Sequence, residues 1–159
     1  MANILVRKFY SVEVIFMLSA NGVTSAIMAS RKTILCVDDD SDDRLFLSEA
    51  IKQIDPSMMV VEAENGVEAL DYLSRAIQKK QLPCLIVLDI NMPLLDGKQT
   101  LEKIRTEMGL MTLPVVVFTS SENPNDKAHF QKKGVEMVTK PMDNTHLEKL
   151  VKNFLLYCS

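Results

Sequence analysis

Five short apolar runs alternate with segments of helical length, and that alternation constrains the fold more than any other feature. The runs are Thr33-Ile34-Leu35-Cys36-Val37, Met58 to Ala63, Cys84 to Leu88, Leu113 to Phe118 and Val135 to Thr139. They are strand-length and rich in β-branched residues, with Gly, Pro, Asn or Asp nearby, so each predicts a strand. Helices are predicted over Arg44 to Ile54, Val67 to Ile77, Gln99 to Met108, Asn125 to Lys133 and Asn144 to Leu156. The first has Leu45, Leu47, Ile51 and Ile54 among its apolar positions; Val67, Leu70, Leu73 and Ile77 recur at helical spacing in the second; Leu101 and Ile104 face inward in the third. In the last the apolar stripe is Leu147, Leu150, Val151 and Phe154. Strand–helix alternation at this spacing demands a parallel sheet covered on both faces with right-handed crossovers, a doubly wound α/β fold.

The 159 residues suit one such domain, residues 31–159, preceded by an extension of residues 1–30. The extension is expected to be disordered or to reflect a start assigned too far upstream, because Met28-Ala29-Ser30-Arg31-Lys32 looks like a natural start before the first strand. Arg7 and Lys8 ahead of Val12 to Leu18 resemble the opening of a signal peptide. That apolar segment is too short to span a bilayer, and no small-residue cleavage site follows. The expectation is therefore a cytoplasmic protein with no membrane role. A net charge of −3 gives no nucleic-acid footprint, so no DNA binding is expected. Cys36, Cys84 and Cys158 are odd in number and widely spaced, which fits neither a disulfide framework nor a zinc pattern. Cys36 and Cys84 read as small buried hydrophobes.

Chemistry concentrates where the strands end. The run Cys84 to Leu88 stops at Asp89 and is followed by Ile90-Asn91-Met92-Pro93 and Asp96-Gly97. The first strand stops at Asp38-Asp39-Asp40-Ser41-Asp42-Asp43, five carboxylates in six residues. Asp40 or Ser41 can cap the next helix, with Asp42 and Asp43 in its first turn. Asp38 and Asp39 have no such role, and two adjacent acids at a strand terminus read as a site for a hard cation, Mg²⁺. Thr119 ends the fourth strand and Lys140 the fifth. In a doubly wound sheet these positions share one edge, the carboxyl edge where ligands bind. The combination suits phosphoryl chemistry. The metal lets an anionic phosphoryl group approach Asp89 as nucleophile. Lys140 can pair with Asp89 and then with a phosphoryl oxygen, and Thr119 can hydrogen-bond the phosphoryl group. Pro141 stiffens the loop after Lys140 and makes a cis bond available to it.

Ile34-Leu35-Cys36-Val37-Asp38-Asp39-Asp40, Val87-Leu88-Asp89-Ile90-Asn91-Met92-Pro93, Asp96-Gly97, Phe118-Thr119-Ser120 and Thr139-Lys140-Pro141 together resemble the receiver domain of bacterial response regulators, over roughly Lys32 to Tyr157. The resemblance implies a flavodoxin-like fold with strand order 2-1-3-4-5 and phosphotransfer from a histidine kinase's phosphohistidine to Asp89. It implies Mg²⁺ held by Asp39, Asp89 and the backbone carbonyl of Asn91, with Asp38 acting mainly through water. It also implies Thr119 and Lys140 as the residues that switch. A receiver of this kind accepts a phosphoryl group and is not a turnover enzyme. The implied partners are a sensor histidine kinase or hybrid kinase, and an output protein or histidine phosphotransferase. A phosphorylation-dependent homodimer is the other implied route.

Two features depart from the family pattern. The position three before the lysine is usually aromatic and is Met137 here, so a rotating ring cannot transmit the signal. The stretch between the second helix and Asp89 is a few residues longer than the family pattern, with Gln78 to Leu82 as the insertion, and resembles stand-alone receivers that pair with phytochrome-type and other hybrid kinases. No output domain follows the last helix, so a stand-alone regulator is expected. Two other readings compete. Asp38-Asp39-Asp40 contains the Asp-x-Asp of haloacid-dehalogenase-type phosphatases, with Asp38 as nucleophile. A receiver-like interaction module that no longer takes phosphate would share the fold without the chemistry.

Overall fold

The structure is a computed structural model and describes residues 4–9, 12–18, 24–28 and 32–159. The chain divides into two compact units, Met1–Arg31 and Lys32–Ser159. Within the first, strands β1 (Ile4–Phe9), β2 (Val12–Leu18) and β3 (Thr24–Met28) pair antiparallel in the order β1-β2-β3. This is regular structure where the sequence pattern led us to expect none.

The second unit alternates as expected. Its strands are β4 (Thr33–Val37), β5 (Met59–Ala63), β6 (Leu85–Leu88), β7 (Val115–Thr119) and β8 (Glu136–Thr139). Its helices are α1 (Ser41–Ile54), α2 (Gly66–Lys79), α3 (Gly97–Thr106), α4 (Pro124–Lys132) and α5 (Asn144–Leu156). All four strand pairings are parallel, and the sheet order is β5-β4-β6-β7-β8. Counted within this unit, that is 2-1-3-4-5, the flavodoxin-like order.

Side chains alternate across the three central strands, as strand geometry requires. Leu35, Val37, Ile86, Leu88, Val115 and Val117 face one core layer, built with Ala69 and Leu73 of α2, Leu101 and Ile104 of α3 and Phe130 of α4. Ile34, Cys36, Leu85, Val87, Val116 and Phe118 face the other, built with Leu47 and Ile51 of α1 and Leu147, Val151 and Phe154 of α5. Because both faces are covered, the strands are apolar throughout, which is why they read as continuous runs. Three residues of the expected stripes, Leu45, Val67 and Ile77, are instead exposed. They lie at the margins of their stripes, where helical spacing alone does not say which residues the sheet reaches.

Helix starts follow local chemistry. The Asp40 carboxylate accepts from the backbone N–H groups of Asp42 and Asp43 at 2.8 and 3.3 Å, so Asp40 rather than Ser41 is the cap of α1. Asn65, Asp96, Asn123 and Asp143 cap the other four helices in the same way. Helix α2 runs on to Lys79 and ends at Lys80 in the left-handed region, which takes up the start of the expected polar linker.

Two expectations are corrected. Cys84 and Cys158 form a disulfide, with Cα atoms 5.1 Å apart across 74 residues of sequence. Cys84 lies just before β6 and Cys158 just past α5, two places that the doubly wound topology brings side by side and sequence spacing does not reveal. Cys36 is free and buried, as expected. The Lys140–Pro141 bond is trans, as is every peptide bond among the described residues.

Candidate acidic site at the carboxyl edge of the sheet

The parallel sheet aims its strand ends at one edge, and the residues singled out from the sequence meet there. Beyond β4, Asp38 donates its backbone N–H to Ala63 O at 3.1 Å; beyond β6, Asp89 donates its own to Val37 O at 2.8 Å. These bonds prolong the ladder by one residue and fix both carboxylates at the same level. Asp38, Asp39 and Asp89 each offer a carboxylate oxygen, and these oxygens lie within 4.8 Å of one another. Asp38 and Asp89 are buried at 4% and 6% exposure, while Asp39 is exposed. Buried acids at this spacing are costly without a counter-charge. Hard oxygen donors in this number suit a divalent cation such as Mg²⁺ or Mn²⁺. Burial pushes the Asp38 carboxyl above its ordinary range, against the pull of Lys140 and of the Asp40 N–H.

Lys140 supplies part of that counter-charge. Its Nζ lies 2.7 Å from Asp38 Oδ2, 2.7 Å from Asp43 Oδ2 and 3.8 Å from Asp89 Oδ1. Burial by itself would lower its pKa. The bonds to Asp38 and Asp43 and the charge of Asp89 outweigh burial and hold it above the ordinary lysine range. Its backbone N–H donates to Thr119 O at 2.9 Å, so the ends of β7 and β8 are tied. Thr119 is fully buried, and its Oγ1 accepts from the Ser121 N–H at 3.2 Å. Asn91 is exposed, and its backbone N–H donates to Asp89 Oδ2 at 3.0 Å. Met137, in β8, is half-buried against the core layer that contains Phe130.

The loop that carries Asn91 is held by a close approach. A Cβ on Gly97 would collide with the Asp89 carbonyl oxygen and stand 2.9 Å from Ile90 Cα. Glycine there lets the start of α3 pack directly on the Asp89–Ile90 backbone.

Four residues of the site carry functions that motif reading passed over. Arg44 is buried, donates to Asp38 O at 2.6 Å and pairs with Glu62 and Glu64 at 3.5 and 3.4 Å. It fastens the end of β4 to β5. A cation directly after five acids was the available signal. Asp43, read as a first-turn residue, is a partner of Lys140. On the other flank, Asp126 of α4 is buried, accepts from Ser121 Oγ at 2.8 Å and pairs with Lys98 of α3 at 2.5 Å. The chain Lys98–Asp126–Ser121–Thr119 thus links two helices to the end of β7. Neither Asp126 nor Lys98 stands in a motif, so no signal in the sequence marked them.

The chain is similar to known proteins of one family. A family model for the response regulator receiver domain matches residues 34–152. Response regulator Rre1 of Synechocystis sp. is 34% identical over 129 residues, which are 80% of this chain and 53% of Rre1; the chain spans about half the length of that relative. The crystal structure of the phosphorylated cyanobacterial phytochrome response regulator RcpA is similar with a TM-score of 0.71 at 31% identity, covering 80% of this chain and 93% of that one. The Mn²⁺-bound form of response regulator Rcp1 is similar with a TM-score of 0.67 at 29% identity, covering 78% and 91% of the two chains.

Proposed function

The chain belongs to the response regulator receiver family, and from that premise we propose that Asp89 accepts a phosphoryl group from the phosphohistidine of a sensor histidine kinase or hybrid kinase. The observation that carries the proposal is the buried Asp89 carboxylate at the carboxyl end of the central strand, with carboxylate oxygens of Asp38 and Asp39 within 4.8 Å and Lys140 at 3.8 Å. Receivers in general are phospho-acceptors rather than turnover enzymes, and that class is proposed here.

Asp38, Asp39, Asp89 and the carbonyl of Asn91 are the proposed holders of Mg²⁺. When bound, Mg²⁺ would offset the acidic charge and take phosphoryl oxygens in its remaining positions. The Mn²⁺-bound Rcp1 relative supports this choice of cation class. An Asp89 carboxylate oxygen attacks phosphorus; the P–O bond forms as the P–N bond to the donor histidine breaks, and that nitrogen leaves with the electron pair. The Thr119 hydroxyl and the Lys140 ammonium then serve the oxygens of the new acyl phosphate as donors. The Asp89 N–H to Val37 O bond ties the ends of β6 and β4, Arg44 ties β4 to β5, and the Gly97 contact seats α3 on the Asp89 backbone, which together supply the alignment such a transfer needs.

The proposed output runs through a partner protein, a homodimer or onward transfer to a histidine phosphotransferase, by a stand-alone receiver in the cytoplasm. No helix among the described residues is long and apolar enough to cross a membrane.

The test is incubation with acetyl phosphate and Mg²⁺. Intact mass is expected to rise by one phosphoryl group, and Asp89→Asn to prevent the rise. Equal labelling of the variant at Asp38 or Asp39 overturns the assignment of the acceptor. Steady phosphomonoester turnover, lost in Asp38→Asn and kept in Asp89→Asn, would support the phosphatase reading instead.

A further inference from the structure

We propose that Asp43 is a positioning residue that holds Lys140 in reserve and so weakens the hold of the unphosphorylated site on an incoming phosphoryl group. The inference rests on Asp89 being the acceptor.

Lys140 makes two contacts of 2.7 Å, to Asp38 and to Asp43, and stands 3.8 Å from Asp89, beyond hydrogen-bond reach. Its backbone is pinned by the bond to Thr119 O, so the side chain is what can move. To donate to a phosphoryl oxygen on Asp89, the ammonium must give up part of its present shell. Asp38 faces the same centre as Asp89 and can keep its contact. Asp43 comes from another direction, the first turn of α1. It lines, with Lys140, a cavity of about 380 Å³ walled by Phe46, Phe118, Pro141 and Leu147. Asp43 is therefore the partner that competes with the phosphoryl group for the lysine. It has no other hydrogen-bonding task for its carboxylate among the contacts of the site, while its backbone N–H is satisfied by the Asp40 cap.

The consequence is a difference in sign between two ligands. Without Asp43, Lys140 settles more closely on Asp38 and Asp89 and competes harder with a cation for those oxygens. The same lysine is then free of its outer partner when a phosphoryl group arrives. Binding of Mg²⁺ alone weakens, and binding of a phosphoryl mimic strengthens. Loss of any nearby negative charge acts in the same two directions, but a charge that does not touch Lys140 acts through screened distance only. Asp42 supplies that control: it is exposed, adjacent and equally charged, and no contact joins it to Lys140.

The experiment is isothermal titration of the full chain, first with Mg²⁺ alone and then with beryllofluoride at saturating Mg²⁺. Relative to Asp42→Asn, Asp43→Asn is expected to bind beryllofluoride threefold to tenfold more tightly, on the order expected for loss of one charge-assisted competitor at a half-exposed position. It is also expected to bind Mg²⁺ alone more weakly than Asp42→Asn. Asp43→Glu, which can still reach the lysine, is expected to restore both values toward those of the parent. Equal affinities in the two Asn variants, or weaker beryllofluoride binding in Asp43→Asn, overturn the proposal. If the parent itself shows no saturable response to beryllofluoride, the acceptor reading fails, and this inference falls with it.

Discussion

Each flank of the acidic site is closed by a buried aspartate and a lysine, and the two pairs differ in what competes for them. On the α1 and α5 side, Lys140 lies against Asp38, Asp43 and Asp89, two of which belong to the group of carboxylates suited to a cation. On the α3 and α4 side, Lys98 pairs with Asp126, which also takes the Ser121 hydroxyl and belongs to no such group. The first is an ion pair two of whose partners are proposed ligands of a cation. The second is a tie between helices. The difference teaches that burial of an Asp–Lys pair does not by itself mark function; what matters is whether another cation or anion has a claim on the same atoms.

The largest expected effect comes from breaking the first flank. Lys140→Ala leaves Asp38 buried beside Asp89 with no cation, and is expected to cost the metal-free protein about 3 kcal/mol, the scale for stripping one partner from a buried pair. Saturating Mg²⁺ is expected to recover much of that loss. Lys98→Ala is expected to cost about 1 kcal/mol, because Lys98 is half-exposed and screened, and Mg²⁺ is expected to leave that cost unchanged. Urea unfolding with and without Mg²⁺ measures both; equal Mg²⁺ dependence in the two variants would erase the distinction between the flanks.

Gly97→Ala strikes between the flanks. The added Cβ has no space against Asp89 and Ile90, so overpacking of about 1–3 kcal/mol is expected, with acetyl phosphate labelling slowed because the peptide of the proposed acceptor is displaced. Normal stability together with normal labelling would show that the loop relaxes freely.

Acid sharpens the comparison on the second flank. The bonds from Lys98 and Ser121 hold the Asp126 carboxyl below its ordinary range, with His129 of α4 adding a smaller attraction. A depressed carboxylate stabilises the folded state above its unfolded value, 3.8, and that contribution fades as pH falls through the lower folded value. The stability gap between the parent and Asp126→Asn, about 1 kcal/mol at neutral pH, is therefore expected to narrow below pH ~4. A gap that stays constant into strong acid would mean that the Asp126 charge contributes nothing.

Smaller effects concern transmission. Thr119 touches both flanks, through Lys140 N–H and through Ser121. Thr119→Ala is expected to leave Asp89 labelling intact while partner or dimer affinity stops responding to it. Met137→Tyr is expected to change that affinity modestly without altering labelling. A full response in Thr119→Ala, with loss in Met137→Ala, would make Met137 the transmitter. Smallest of all is removal of residues 1–27. Every residue of both flanks lies within Lys32–Ser159, and a chain starting at Met28 is expected to melt within a few degrees of the full chain. A loss of about 2 kcal/mol or more, beyond the usual surface effect, would show that the extension supports the domain.

The residues that fix this fold and the core of its site are local in kind, and for that reason they could be read in one dimension. A strand covered on both faces must be apolar throughout, so β4, β6 and β7 stand out in the sequence, and parallel order by itself places Asp38, Asp39, Asp89, Thr119 and Lys140 at one edge. Capping chemistry likewise sits within three residues of each helix start. What the tertiary structure alone decided are pairings between elements distant in sequence, whose partners carry no local mark. Asp43 looks like any first-turn acid until β8 brings Lys140 to it. Lys98 and Asp126 carry no local mark until the fold brings the start of α3 and the first turn of α4 within reach of each other. Cys84 and Cys158, 74 residues apart, look unrelated until the sheet and α5 set them together. Composition and periodicity report how each segment meets water and its own neighbours; they hold no term for the angle at which two packed segments meet, and that angle chooses the partner.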